Sequence, residues 1–151
     1  MVPNEVEILI VEDNPNDLEL ALHALKHHHL ANNIHVARDG AEALAFFFGG
    51  GVGGAAKLNG HAGVVLLDLK LPKVDGLEVL KRLKADVRTR MIPVVVLTSS
   101  REERDIVESY RLGVNSYIVK PVDFEQFAES VRVLGLYWML VNEAPPAHAE
   151  G

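Results

Sequence analysis

The chain has 151 residues, a length typical of one domain with a substantial core. Fifteen Lys and Arg against 21 Asp and Glu give a formal net charge of −6, which argues against a nucleic-acid-binding surface, because such surfaces depend on clustered basic residues. The absence of Cys excludes disulfides, thiolate metal sites and cysteine nucleophiles, and 48% hydrophobic residues indicate a folded globular protein.

The sequence contains no recognisable targeting or membrane segment. Its start is acidic where a secretory leader needs basic residues, and its longest apolar run, residues 63–67, is ended by Asp68. That run is far shorter than the roughly 18 apolar residues of a membrane span. We therefore expect a cytoplasmic protein that does not bind membranes.

Short aliphatic runs alternate with longer segments of helical period, which is typical of βαβ units with a parallel sheet. The predicted strands are residues 6–11, 33–37, 63–67, 94–97 and 115–119. The predicted helices run from residue 15 to about 30, then over 41–48, 77–85, 101–112 and about 123–141. A glycine-rich stretch, residues 49–60, is predicted to be a surface loop.

Local signals support these elements. Asn14 suits a helix N-cap and Pro15 the first helical turn, while Leu18, Leu22 and Leu25 recur at helical spacing and predict an apolar face. The third and fourth strands are aliphatic throughout, as expected of central parallel strands buried on both faces. Five βα units predict an α/β fold, the flavodoxin-like, doubly wound (βα)5 sandwich with strand order 2-1-3-4-5.

Polar residues follow the predicted strands at the edge where such sheets bind ligands. They are Glu12, Asp13, Asp68, Thr98 and Lys120. Each alone is explained as a turn or cap residue, but three carboxylates in one crevice repel each other unless a cation neutralises them. Oxygen ligands of this kind suit Mg²⁺, and a lysine with a hydroxyl can hold phosphoryl oxygens. Asp68, beside the metal acids, is the candidate nucleophile.

Four segments together resemble the receiver domain of two-component response regulators: VEDNPND, LLDLKLPKVDGLEVL, VVVLTSS and NSYIVKPVD. The resemblance covers residues 5 to about 141. It implies that Asp68 accepts a phosphoryl group from a phosphohistidine of a sensor histidine kinase. It also implies that Mg²⁺ is held by Asp13, Asp68, the backbone carbonyl of Lys70 and, largely through water, Glu12.

The same resemblance implies a phosphorylation switch. Thr98 and Lys120 hold the phosphoryl oxygens, Thr98 shifts, and Tyr117 turns inward, which changes the face formed by the fourth helix, fifth strand and fifth helix. Lys120-Pro121 is expected to be a cis peptide. Lys70 and Ser99 occupy places that tune the lifetime of the acyl phosphate, and Lys70 is also expected to compete for the carboxylates when metal is absent.

A finer resemblance is to stand-alone receivers paired with bacterial phytochromes. It depends on the insertion after the second helix, the Asp-Leu-Lys-Leu-Pro form of the phosphorylation loop, and the apolar end, residues 134–142. That end is either a well-buried last helix or a homodimer interface anchored by Tyr137 and Trp138. The similar regulators dimerise through the helix-four, strand-five, helix-five face.

The sequence thus predicts a single receiver domain over residues 1–151, with a flexible tail from 142 and no attached effector, which signals to a downstream phosphotransfer or effector protein. Two alternatives stay open. One is a pseudo-receiver that is never phosphorylated. The other is a haloacid-dehalogenase-type phosphatase, although Asp68-Leu69-Lys70 lacks the second acid of its Asp-x-Asp motif. The basic run at residues 81–84 is predicted to be a solvated helix face.

Overall fold

The structure is a computed structural model, and it describes residues 7–27, 33–49, 63–120, 125–126, 129 and 132–133. The strands are β1 (Glu7–Val11), β2 (Asn33–Ala37), β3 (Gly63–Leu67), β4 (Val94–Thr98) and β5 (Ser116–Val119). The helices are α1 (Pro15–His27), α2 (Gly40–Phe48), α3 (Gly76–Ala85) and α4 (Glu103–Leu112). In the described part of the chain, no helix is long and apolar enough to cross a membrane.

All five strands are parallel and lie in the order β2-β1-β3-β4-β5, so the predicted flavodoxin-like topology is confirmed. The register aligns the carboxyl ends of the central strands: Val11 pairs with Leu67, and Leu67 with Val96. At the far side, Thr98 pairs with Val119. The residues that follow these strands therefore emerge at one edge of the sheet.

The core has one layer on each face of the sheet. Every residue of β3 and β4 is buried, which confirms their prediction as central strands. On one face, alternate strand residues pack against α1, where Leu18 and Leu25 are buried and Leu22 is partly buried. On the other face, α2 and α3 cover the sheet with Phe47, Leu80 and other apolar side chains.

The helix ends follow the sequence signals closely. The Asn14 side chain accepts a hydrogen bond from the backbone N–H of Asp17, at 3.0 Å, as an N-cap does. Gly113 ends α4 with a φ of 107°, a left-handed conformation that glycine adopts without steric cost. The predicted start of this helix at residue 101 is wrong, because α4 begins at Glu103.

Gly76 allows α3 to begin against the end of β3. Its N–H donates to the carbonyl oxygen of Leu69, at 2.8 Å. A Cβ at this position would overlap with the carbonyl oxygen of Asp68 and with the Cα of Leu69. The absence of a side chain at Gly76 therefore helps to fix the backbone that carries Asp68.

The basic run at residues 81–84 is only partly a solvated face, so that prediction is wrong for Lys84. Lys81 and Arg82 are exposed, but the Lys84 ammonium donates to the carbonyl oxygens of Arg90 and Ile92, at 3.0 and 2.9 Å. Burial lowers the pKa of Lys84 to about 8. This lysine ties the end of α3 to the segment that leads into β4.

Several predictions lie outside the described residues. They include most of the fifth helix, the Lys120-Pro121 peptide, residues 50–60 of the glycine-rich loop, the proposed dimer anchors Tyr137 and Trp138, and the tail from 142. Glu125, Gln126, Glu129, Arg132 and Val133, which fall within the predicted fifth helix, are described and helical.

Candidate functional site

Backbone hydrogen bonds fix the residues at the carboxyl edge of the sheet. The N–H of Asp68 donates to the carbonyl oxygen of Val11, at 3.1 Å, which continues the β1–β3 pairing by one residue. The N–H of Lys120 donates to the carbonyl oxygen of Thr98, at 2.9 Å, and continues the β4–β5 pairing in the same way. The positions of these side chains follow from strand register.

Three acids form a cluster at this edge. Carboxylate oxygens of Glu12, Asp13 and Asp68 all lie within 4.8 Å of one another. Glu12 and Asp68 are buried, with 4% and 6% of their surface exposed, whereas Asp13 faces solvent. The N–H of Asn14 donates to Glu12 Oε2, at 3.2 Å, and the N–H of Lys70 donates to Asp68 Oδ1, at 3.1 Å. The sequence prediction that these three acids converge is confirmed.

Lys120 neutralises part of this charge. Its Nζ lies 2.8 Å from Glu12 Oε1, 2.7 Å from Asp17 Oδ2 and 3.2 Å from Asp68 Oδ2. Burial by itself lowers the pKa of Lys120, but the hydrogen bonds to Asp17 and Glu12 outweigh it, and the pKa rises above its ordinary value. Lys120 is therefore a permanent cation within reach of the candidate nucleophile.

Glu12 is the acid whose charge the environment perturbs most clearly. Burial raises the pKa of Glu12 from 4.5 to about 7, and the nearby charge of Asp68 acts in the same direction, while the hydrogen bond from Lys120 opposes it. Glu12 therefore changes its protonation state near neutral pH. A divalent cation bound beside it would favour the ionised form.

Thr98 and Tyr117 both contact the segment that follows β4. Thr98 is fully buried, and its Oγ1 accepts a hydrogen bond from the N–H of Ser100, at 3.3 Å. The half-buried Tyr117 donates its hydroxyl to the carbonyl oxygen of Ser100, at 3.1 Å. The two predicted switch residues are thus linked through one loop residue.

The same loop is tied to α4 by a buried hydrogen bond. The Ser100 hydroxyl donates to Asp105 Oδ2, at 2.6 Å, and both residues are buried. Lys70 Nζ lies 3.5 Å from the same oxygen of Asp105. The expectation that Lys70 competes for the acid cluster is therefore wrong, because Lys120 occupies that place and Asp105 attracts Lys70.

Sequence reasoning missed two acids of this region, Asp17 and Asp105. Asp17 lies in the first turn of α1, where an acid is already explained by the helix dipole, and Asp105 occupies the equivalent part of α4. Asp17 follows the Glu12-Asp13 pair by only four residues, and this short spacing was the available signal for its contact with Lys120.

The donor set of the acid cluster fits a hard divalent cation. Carboxylate oxygens are the ligands that Mg²⁺ and Mn²⁺ prefer, and a partly exposed cluster leaves room for the waters that Mg²⁺ retains. Two buried acids and one exposed acid carry more negative charge than Lys120 offsets. A cation at this position would relieve the remaining repulsion.

Comparison with known proteins identifies the class. Over residues 8–132 the sequence matches the response regulator receiver domain, and the chain belongs to this family. Receiver domains are signalling proteins, and the family binds divalent metal at its active site. Membership decides against the dehalogenase-type phosphatase that the sequence alone left open.

Three relatives are informative. The probable methanogenesis regulatory protein FilR2 of Methanothrix harundinacea is 41% identical over 138 residues, 91% of this chain and 86% of that protein. Response regulator Rcp1 of Synechocystis is 36% identical over 140 residues, 93% of each protein. The Mn²⁺-bound crystal structure of Rcp1 superposes with a TM-score of 0.70, at 35% identity, over 94% of this chain and 99% of that chain. The bacteriophytochrome response regulator AtBRR is 56% identical, with a TM-score of 0.69, over 91% of this chain and 97% of that chain.

Proposed function

We propose that this chain is a single-domain response regulator that accepts a phosphoryl group on Asp68 from a phosphohistidine of a sensor histidine kinase of the phytochrome type. The observation that carries the proposal is the position of Asp68. Its carboxylate is buried at the carboxyl edge of the sheet, beside two further acids and 3.2 Å from the Lys120 ammonium.

The proposed transfer needs positioning and charge neutralisation more than covalent activation. An oxygen of the Asp68 carboxylate attacks phosphorus, the P–N bond of phosphohistidine breaks, and its electron pair returns to the imidazole nitrogen. Lys120 offers its charge to one phosphoryl oxygen. Thr98, whose Oγ1 already accepts a hydrogen bond, has its own proton to donate to another.

We propose Mg²⁺ as the divalent cation, held by the carboxylates of Asp13 and Asp68, by the backbone carbonyl of Lys70 and, largely through water, by Glu12. When bound, it supplies positive charge that offsets the carboxylates and the phosphoryl oxygens. The convergence of the three carboxylates supports this set, and Rcp1 has been crystallised with Mn²⁺. Both cations take oxygen ligands, so the ligand chemistry alone does not distinguish them. We propose Mg²⁺ because metal availability also determines which cation a site binds.

The signal is proposed to leave the site through Thr98 and Tyr117. Thr98 is buried at the end of β4, and its hydrogen bond from Ser100 would couple a shift of Thr98 toward a phosphoryl group on Asp68 to the loop after β4. Tyr117 holds the carbonyl oxygen of Ser100 and would be released by the same movement. The face that changes is then the one formed by α4 and β5 with the predicted fifth helix.

This face is also the proposed homodimer interface, with Tyr137 and Trp138 as further anchors. Val107 and Tyr110 lie on α4 three residues apart, and 58% and 52% of their surfaces are exposed. Large apolar residues at helical spacing, with aromatic side chains among them, are typical of interface anchors. A dimer through these residues could be strengthened or weakened by the switch, and a downstream phosphotransfer or effector protein could read the difference.

The choice of a phytochrome-type kinase draws on similarity. At 56% identity, AtBRR is a bacteriophytochrome response regulator, and its chain is matched almost completely. The match covers 93% of Rcp1 and 97% of the AtBRR chain, which also favours a receiver that works as a stand-alone domain. We propose a cytoplasmic location, since histidine kinases take their phosphoryl group from ATP.

Phosphotransfer profiling tests the proposal. The purified chain is mixed with autophosphorylated histidine kinases, one group of phytochrome type and one unrelated, and the initial rate of transfer to the chain is measured. We expect transfer from a phytochrome-type kinase to be the fastest and to be lost in Asp68→Asn. Faster transfer from an unrelated kinase would contradict the pairing, and transfer that persists in Asp68→Asn would contradict the acceptor.

A further inference from the structure

Lys120 contacts three carboxylates in the described part of the chain, and Asp17 is the one that lies outside the acid cluster of Glu12, Asp13 and Asp68. We propose that Asp17 is a positioning residue. It holds the Lys120 ammonium on the solvent side of the acid cluster, so that Glu12 and Asp68 are left to interact with a divalent cation. This inference rests on the proposed metal site.

The geometry favours Asp17 as the lasting partner. An ammonium group has three donors, and here Asp17 Oδ2 accepts at 2.7 Å, while the contacts to Glu12 and Asp68 are 2.8 and 3.2 Å. A divalent cation on Glu12 and Asp68 would repel the ammonium and compete for both acids. Asp17, with 36% of its side chain exposed, lies toward solvent and can hold the ammonium there.

The position of Asp17 is itself fixed by the start of α1. Its backbone N–H donates to the side chain of Asn14, at 3.0 Å, so the N-cap fixes the backbone from which the Asp17 carboxylate reaches Lys120. Asn14 also donates its own N–H to Glu12 Oε2. The N-cap residue Asn14 therefore contacts both Glu12, which is proposed to interact with the metal, and Asp17, which contacts Lys120.

Loss of the Asp17 charge should weaken metal binding in two ways. Without this partner, Lys120 depends on Glu12 and Asp68, the acids that the cation needs, and competes with it directly. The site also loses one negative charge at short range. Only the first effect requires Lys120, so a double-mutant cycle separates the two.

The experiment measures Mn²⁺ affinity by the electron paramagnetic resonance signal of the free ion, with no phosphodonor present. The set is wild type, Asp17→Asn, Lys120→Met and the double variant. Glu19→Gln is the matched control, because Glu19 is an exposed acid on the same helix and its removal changes the net charge equally. Thermal unfolding without metal checks that each variant folds, and Lys120→Gln replaces Lys120→Met if the latter does not.

We expect Asp17→Asn to weaken Mn²⁺ binding about tenfold when Lys120 is present. The Lys120 ammonium loses its charge-assisted hydrogen bond to Asp17 and then competes with Mn²⁺ for Glu12 and Asp68. Without Lys120, only the loss of the nearby negative charge remains, so the same substitution should weaken binding much less, by about twofold at physiological salt. Equal losses in both backgrounds, or no loss in either, would overturn the positioning role. If wild type binds no Mn²⁺, or Asp13→Asn binds as well as wild type, the proposed metal site fails instead.

Discussion

Binding of a divalent cation to this protein should depend on pH near neutrality, and Glu12 should be the cause. Burial raises the pKa of Glu12 to about 7, in spite of the hydrogen bond from Lys120. Below that pH the carboxyl group holds a proton, which a cation must displace before it can use the charge of Glu12. At higher pH the group is already ionised.

The size of the effect follows from proton competition. With a pKa of about 7, competition reduces the apparent affinity about 11-fold at pH 6 and about 1.1-fold at pH 8. Affinity should therefore rise about tenfold between pH 6 and pH 8. The stability of the metal-free protein has the opposite sign: the contribution of Glu12 is fully present below pH 4.5 and is lost as the pH rises through 7, because the folded state holds the proton more tightly.

The assay is a Mg²⁺ titration by isothermal calorimetry at pH 6, 7 and 8 and constant ionic strength. Glu12→Gln removes the titrating group without a large change in shape, so its affinity should be nearly the same at all three values. Glu19→Gln, with the same change in charge on an exposed residue, should keep the wild-type slope. A flat wild-type profile, or an unchanged slope in Glu12→Gln, would refute the reasoning.

Three further substitutions test the supports of the site by chemical denaturation. Gly76→Ala should destabilise the fold by about 1–3 kcal/mol and slow phosphorylation, because the added Cβ displaces the backbone at the end of β3. Ser100→Ala should cost about 1–3 kcal/mol, because it leaves the buried Asp105 carboxylate without its hydroxyl donor, whereas exposed Ser99→Ala should be nearly neutral. The free energy of unfolding of wild type, minus that of Lys84→Met, should rise by up to about 3 kcal/mol from pH 8 to 10.5. In this range the unfolded state still binds the Lys84 proton that the folded state has released.

Each of these has an outcome that contradicts it. Wild-type stability with unchanged phosphorylation in Gly76→Ala would mean that the loop after β3 tolerates a side chain. Equal losses for Ser100→Ala and Ser99→Ala would assign no special role to the buried hydrogen bond. A pH-independent difference between wild type and Lys84→Met would mean that the ammonium is not destabilised by burial.

The fold was predictable because its signals are local and repeated. Alternation of aliphatic runs with helical periods, the N-cap at Asn14 and the glycine at 113 each determine one element or one end, and strand order follows from general rules for βα units. The convergence of Glu12, Asp13 and Asp68 was predictable for a related reason, since each lies within two residues of the end of a parallel strand.

The remaining contacts depend on side-chain directions that periodicity does not define. Asp17 and Lys120 are 103 residues apart in sequence, and their contact requires both the first turn of α1 and the end of β5 to be in place. Lys70 reaches Asp105 and not the acid cluster, because α4 presents a buried carboxylate beside the loop after β3. A basic run gives no indication of which member is buried, so the sequence predicts a solvated face for Lys84 as well, although its ammonium contacts the carbonyl oxygen of Ile92.

Phosphorylation of Asp68 is the most direct test of the proposed function. The chain is incubated with acetyl phosphate and Mg²⁺, the phosphoryl group is measured by intact mass, and the acceptor is located by borohydride reduction of the acyl phosphate followed by peptide mapping. We expect one phosphoryl group, on Asp68, absent from Asp68→Asn and retained in the control Asp86→Asn. Undiminished phosphorylation of Asp68→Asn, or none in wild type with either acetyl phosphate or a phosphorylated kinase, would contradict a phosphoacceptor role for this site.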